Sequence, residues 1–205
     1  MRRLIAALLC WLALGVHAQA QDPALLQHVL DELGSHASVR AAFIQSRENP
    51  ALAQPQQSQG QLLFVVGHGM LWQVTAPYAE TLALSGGRSA HIDEQGRLQP
   101  VRGGDRGMAQ VSQMLQSMLS GKPEDALRQF EIEAQGSTAR WTLRFTPRQS
   151  RMARVLRRIE LEGDRYLQAI RVEMENGETT QIRFADTRDA GPLSPLEQRA
   201  LGMPP

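Results

Sequence analysis

Apolar positions in this chain recur first at helical spacing, then at every second residue, then helically again, before a closing stretch of clean alternation. The first helical segment has Asp22 at its cap and Pro23 at its first position. A stripe of Leu25, Leu26, Val29, Leu30 and Leu33 follows and ends before Gly34. Proline suits that first position because its missing N–H would have had no intrahelical partner there. Val39, Ala41 and Phe43 then alternate with Arg40, Ala42 and Ile44, which predicts a strand. Residues 49–59 are rich in glutamine and carry Pro50 and Pro55, so they read as an exposed loop.

Short strands are predicted over 61–66, 70–76, 80–85, 88–93 and 97–102. Gly67-His68-Gly69, Pro77, Gly86-Gly87 and Gln95-Gly96 separate them, each supplying a fixed or a permissive backbone dihedral. A helix is then capped by Asp105, with Met108, Val111, Met114, Leu115, Met118 and Leu119 on one face before Gly121, and Pro123 opens a second, shorter one. From Phe130 onward the period is two. Phe130, Ile132 and Ala134 alternate with glutamates, Trp141, Leu143 and Phe145 with Arg140, Thr142 and Arg144, and the pattern recurs at Ile159 and Leu161, at Ile170, Val172 and Met174, and at Ile182 and Phe184. Asn176-Gly177 predicts a two-residue hairpin between the last pair. An arginine-rich helical turn is expected over 147–155, and 192–205 reads as a surface tail with one helical turn. No repeat of fixed period is present.

Such a pattern asks for a large antiparallel sheet, apolar on one face and charged on the other. A sheet of about ten to eleven twisted strands must close, split or be covered, and only a few short helices are available to cover it. The fold class is therefore mainly β with an α lid: an incomplete, half-open antiparallel barrel under short helices. The longest of those helices carries three methionines, Met108, Met114 and Met118. They either fill a core or form an adaptable lid over a greasy sheet.

The amino terminus adds a location. Arg2 and Arg3 precede an apolar run over 4–16 and the small-residue pattern Ala18-Gln19-Ala20, the layout of a secretory signal cleaved near Ala20. At about 13 residues the run is shorter than the roughly 20 that span a bilayer. Cys10, the only cysteine, leaves with it, so the mature chain can form neither a disulfide nor a thiolate site. Without Arg2 and Arg3, the 22 basic residues become 20 against 21 acidic ones, a balance that gives nucleic acid no purchase. The remaining length of about 185 residues is expected to form one domain over 21–205.

In order and spacing, the residues resemble one family. The landmarks are Phe43-Ile44-Gln45, Gly60 with Leu62-Leu63-Phe64, and Met70-Leu71-Trp72-Gln73-Val74 with Pro77. A Gly-Gly turn, a helical lid, Phe130-Glu131-Ile132, the run from Trp141 to Pro147 and the Asn-Gly hairpin complete them. Over nearly the whole mature chain this is similar to the periplasmic outer-membrane lipoprotein carrier family, LolA, and its divergent members. The resemblance implies a periplasmic, non-enzymatic, cofactor-free monomer whose cavity shelters lipoprotein acyl chains. Cargo would come from an ATP-driven inner-membrane transporter and pass to an outer-membrane acceptor. The candidate ligand-binding positions are Leu62, Phe64, Val66, Met70, Trp72 and Val74 on the sheet and Met114, Leu115, Met118 and Leu119 on the lid. Val66 stands where the family carries an arginine that latches the lid backbone, and Met70 where it carries an aromatic. Either Arg47 or Arg88 latches the lid from elsewhere, or closure and cargo differ. The alternatives are a carrier of another lipid, such as a glycolipid or polyene lipid, and a periplasmic scaffold or sensor that binds a protein.

Catalytic patterns are weak. His28, His36, His68 and His91 show no metal-ligand spacing. Gly87-Arg88-Ser89-Ala90-His91 begins like a nucleophile elbow but has histidine for its second glycine. Gly103-Gly104-Asp105-Arg106-Gly107 lacks the lysine of a phosphate loop and reads as a hinge, and Glu131 and Glu133 lie on a solvated strand face.

Overall fold

The structure, a computed structural model, describes residues 23–85, 88–101, 106–119 and 123–204. The expected signal segment, the Gly86-Gly87 turn and most of the 103–107 hinge lie outside the described residues, as do the side chains of Met108 and Leu119.

Helix α1 (Pro23–Ser35) buries Leu25, Val29, Leu30 and Leu33, the stripe its spacing predicts. The strands are β1 (Ser38–Glu48), β2 (Gln56–Val65), β3 (Gly69–Ala76), β4 (Glu80–Ser85), β5 (Arg88–Ile92) and β6 (Leu98–Pro100), then β7 (Phe130–Ser137), β8 (Arg140–Pro147), β9 (Leu156–Gly163), β10 (Leu167–Met174) and β11 (Thr179–Asp189). They form one antiparallel sheet of eleven strands in the order β6-β5-β4-β3-β2-β1-β11-β10-β9-β8-β7. Nearly every neighbour in that order is a neighbour in sequence. The exception is β1 with β11, which joins the two halves of the chain at the middle of the sheet.

Strands β6 and β7 are the two ends of this sheet and do not pair, so the barrel stays half open, as the sequence pattern predicts. They are also consecutive in the chain. The segment between them must therefore run from one edge of the sheet to the other, and it does so as α2 (Arg106–Leu119) and α3 (Pro123–Gln129). Placing a helical lid over the opening is thus a consequence of strand order. Val111, Met114, Leu115, Met118 and Ala126 face inward from these helices and share one apolar core with α1 and with β1 to β4 and β7 to β11.

On the outside, strands β7 to β10 carry the charged face that alternation predicts. Arg144 stands opposite Glu133 on one neighbouring strand and Glu160 on the other, with 3.2 Å to each carboxylate. Glu173 accepts from Arg158 at 2.8 Å and from Arg171 at 2.9 Å.

Two expectations need correction. Gln56 to Gln59 belong to β2 and pair with β1 as far as Arg47 instead of forming a loop. These residues are mostly exposed on both faces, so the strand runs past the apolar core and polar side chains cost nothing there. The tail is also more than a surface appendage. Leu62, Leu63, Phe64 and Val65 are all buried, so β2 is apolar on both faces, and its outer face needs its own cover. Beyond the single helical turn α4 (Ser150–Ala153), helix α5 (Pro195–Ala200), with Ala200 and Leu201, supplies it by packing on Leu63, Val65, Leu71 and Ala83. A capping box starts this helix, with Ser194 Oγ accepting from Glu197 N–H and the Glu197 carboxylate accepting from Ser194 N–H. The same carboxylate accepts two hydrogen bonds from Arg40 of β1, at 2.7 and 3.0 Å. That fork holds the Glu197 carboxyl down to about 2, against the opposing pull of burial.

Candidate functional site: the cavity beneath the lid helix

Between the inner face of the sheet and the lid lies an apolar cavity of about 60 Å³. Of the residues expected to line a ligand site, Leu62, Phe64, Met70, Trp72 and Leu115 line it. Met114 and Met118 are buried in the surrounding core, and Val66 and Val74 are half-buried and pack against it. Helix α2 includes Leu119 at its end, and that side chain lies outside the described residues.

Strand pairing explains the convergence. Leu62 of β2 is in register with Trp72 of β3, and Phe64 with Met70, so each inward position on one strand meets an inward position on the next. Phe43 of β1 pairs with Gly60, and the missing side chain there leaves room for the Phe43 ring to stack on Trp72, with centroids 3.6 Å apart and planes 19° apart. A Cβ at Gly60 would lie 1.8 Å from the Gln73 carbonyl oxygen and 2.9 Å from Phe43 Cζ, so only glycine permits this approach.

The lid is fastened by a residue that sequence reasoning did not single out. Gln116 of α2 donates from Nε2 to the Val65 carbonyl at 3.1 Å, and its Oε1 accepts from Gly67 N–H at 2.8 Å. One amide thus satisfies a donor and an acceptor of the β2–β3 turn, a geometry available to glutamine or asparagine and to no apolar residue. Nothing in the sequence marks Gln116 among the other polar residues of that helix.

The far end of the cavity was also missed. His36, Tyr166 and Thr187 are its polar lining. His36 is 8% exposed, and its Nδ1 lies 2.7 Å from Asp189 Oδ1. Its Nε2 is buried without a hydrogen-bond partner. A buried polar atom left in that state costs about 1–3 kcal/mol, so it is an exception to be explained. In the sequence His36 is one of five dispersed histidines, and the Asp189 partner is far away in the chain.

A second, larger concavity of about 600 Å³ lies on the outer face, where Arg40, Gln73, Glu80, Asp93 and Glu197 surround Leu63, Leu71 and Ile92. It is open and mixed in polarity, and it borders the α5 cover.

Comparison with known families identifies the chain. The model of the family described as outer membrane lipoprotein carrier protein LolA-like matches residues 18–194. The chain belongs to this family. Comparison with curated proteins finds no match. Among solved structures it is similar to a LolA superfamily protein of Nitrosomonas europaea, at 10% identity and a TM-score of 0.48, covering 85% of this chain and 96% of that one. It is also similar to MucB in the MucA/MucB complex of Pseudomonas aeruginosa, at 13% identity and a TM-score of 0.45, covering 83% of this chain and 59% of that one.

The family resemblance places an arginine on the sheet at Val66, reaching the lid backbone. Here a side chain of the lid, Gln116, reaches the backbone of the sheet turn. No helix among the described residues is long and apolar enough to cross a membrane.

Proposed function

We propose that this protein, after cleavage of its signal near Ala20, is a periplasmic carrier that takes the acyl chains of a lipoprotein or related lipid beneath α2 and moves them toward the outer membrane. It works without cofactor or catalysis, receiving cargo from an inner-membrane transporter and passing it to an outer-membrane acceptor. The observation that carries this reading is the apolar cavity between Leu62, Phe64, Met70 and Trp72 on the sheet and Leu115 on a lid fastened by Gln116.

At about 60 Å³ the cavity is far smaller than the roughly 300–1,000 Å³ of ordinary ligand sites, so this is the closed state and uptake requires α2 to lift. The energies permit that. Burial of Val111, Met114, Leu115 and Met118 stabilises the closed lid by roughly 1.5–3 kcal/mol each. An acyl chain entering beneath the lid gains of order 10 kcal/mol on leaving water and replaces the contacts that the lid loses. Two opposing quantities of similar size make loading and release reversible.

The test is extraction and mass spectrometry of the mature protein purified from its own periplasm, with a titration by a long-chain lipopeptide followed through Trp72 fluorescence. One acylated molecule per protein and a saturable response are expected. Protein free of acyl lipid together with a flat titration would overturn the carrier reading. A single protein recovered on the outer concavity around Leu63, Leu71 and Ile92 would instead favour a binding scaffold.

A further inference from the structure

The cavity is apolar except where His36, Tyr166 and Thr187 line it, and of these His36 has one ring nitrogen engaged and the other buried without a partner. His36 sits between α1 and β1, with Nδ1 2.7 Å from Asp189 Oδ1. The carboxylate can only accept, so the proton of a neutral ring lies on Nδ1 and the free lone pair on Nε2. That Nε2 is buried and has no partner. The nearest carboxylate oxygen, Glu32 Oε1, is 4.0 Å away, beyond hydrogen-bond reach. The ring is held against Tyr166 at 4.4 Å, and the Arg165 guanidinium lies 5.5 Å from the Tyr166 ring and 3.8 Å from Glu32.

Strand β11 is shaped to place these groups. Arg40 pairs with Arg188 and Ala42 with Ala185, so Asp186 and Thr187 together stand opposite Ala41. Asp186 has a φ of 54°, a left-handed conformation unusual outside glycine. Bulges of this kind re-aim side chains, and this one brings Thr187 to the cavity wall two residues before Asp189. The charges narrow the ligand further. Glu32 and Asp189 flank the ring and Arg165 is the cation paired with Glu32, so an anionic head buried beside Nε2 would face two carboxylates.

We propose that the His36 end of the cavity seats the polar group of the guest, and that this group is an uncharged hydrogen-bond donor, a hydroxyl or an amide N–H, given to His36 Nε2 while the acyl chain runs beneath α2. The inference rests on the carrier reading and specifies its ligand. It assigns His36 and Asp189 to recognition: His36 touches the guest, and Asp189 positions His36 by fixing which nitrogen carries the proton.

The test uses the mature protein at pH 8.5 and three ligands with one chain: 1-monopalmitoylglycerol, methyl palmitate and palmitate. The glycerol ester should bind about ten-fold more tightly than the methyl ester, with palmitate the weakest. His36→Phe should bring the two esters within about two-fold by weakening the glycerol ester and leaving the methyl ester unchanged. Asp189→Asn lies on an exposed side chain, so folding should survive it. Its amide can donate to Nδ1 and move the proton to Nε2, and the preference should narrow or reverse. Equal binding of both esters by the unaltered protein, or a preference that persists in both variants, overturns this inference while leaving the carrier reading intact. Failure of all three ligands to bind overturns both.

Discussion

The backbone N–H of Gly67 donates to the side-chain carbonyl of Gln116 across 2.8 Å, and so ties the turn between β2 and β3 to the last turn of the lid helix. The same side chain donates to the Val65 carbonyl, which also accepts from His68 N–H at 3.1 Å. Removing the amide by Gln116→Ala leaves the apolar lid contacts in place but deletes both bonds, a loss of about 1–3 kcal/mol in the closed state. The expected outcome is faster amide exchange confined to α2, with α1 and β8 unaffected, and faster entry of an acyl ligand in stopped-flow fluorescence. Unchanged exchange in α2 would show that apolar packing alone closes the lid.

Gly60 is the second point where one atom decides the geometry. A methyl group there would collide with the Gln73 carbonyl oxygen, and relieving the clash would separate β2 from β3 and push Phe43 off Trp72. Gly60→Ala should therefore destabilise the protein by about 1–3 kcal/mol, as overpacking in a rigid core does, and should shift Trp72 emission to the red. Urea unfolding followed by circular dichroism measures the first effect. Trp141, hydrogen-bonded to the Asp164 carbonyl in the other half of the sheet, should keep its environment.

These residues also show what the sequence could and could not reveal. Alternation at Phe130, Ile132 and Ala134, or at Trp141, Leu143 and Phe145, is a local signal with one buried face, and the strands appear where it stands. It fails on β2, where Leu62 to Val65 are buried on both faces: an unbroken apolar run has no period, and its second partner, Leu201, is remote in the chain. The cavity's apolar half was legible because Leu62, Phe64, Met70 and Trp72 sit on adjacent strands of one hairpin. Its polar end was not, because His36, Tyr166 and Thr187 meet only when β1 pairs with β11 and the β9–β10 turn folds over α1. Gln116 was invisible for another reason. Its partners are backbone groups, which leave no trace in side-chain identity.

Glu197 links the tail to the sheet in a way that depends on pH. Its carboxyl is held to about 2, chiefly by the Arg40 guanidinium and then by Ser194, against an ordinary value of 4.5. A carboxyl depressed in the folded state stabilises that state above the ordinary value, and the contribution fades as pH falls from about 4.5 toward 2. Glu197→Gln should thus destabilise the protein at pH 7, and the difference from the unaltered protein should shrink steadily through that window. Glu173, also lowered by hydrogen bonds from Arg158, titrates in both proteins and cancels in the comparison. A difference that stayed constant down to pH 2 would mean that Glu197 acts through the shape of the helix cap and not through its charge.

Leu201 separates the two faces of the sheet. It is 1% exposed and packs with Ala200 on Leu63, Val65, Leu71 and Ala83, none of which faces the inner core. Truncation to alanine leaves a void that α5 can only partly close, so Leu201→Ala should cost about 2–4 kcal/mol of stability. Because the alternating side chains of β2 and β3 point to opposite faces, the loss is confined to the outer side. Affinity for an acyl ligand beneath α2 should then change by less than about two-fold at a temperature where the variant remains folded, whereas Leu115→Ala, on the cavity wall, should alter affinity as well as stability. Calorimetric unfolding and ligand titration on the same two variants distinguish the faces. Equal effects of both substitutions on affinity would show that α5 and the lid act on one shared interior.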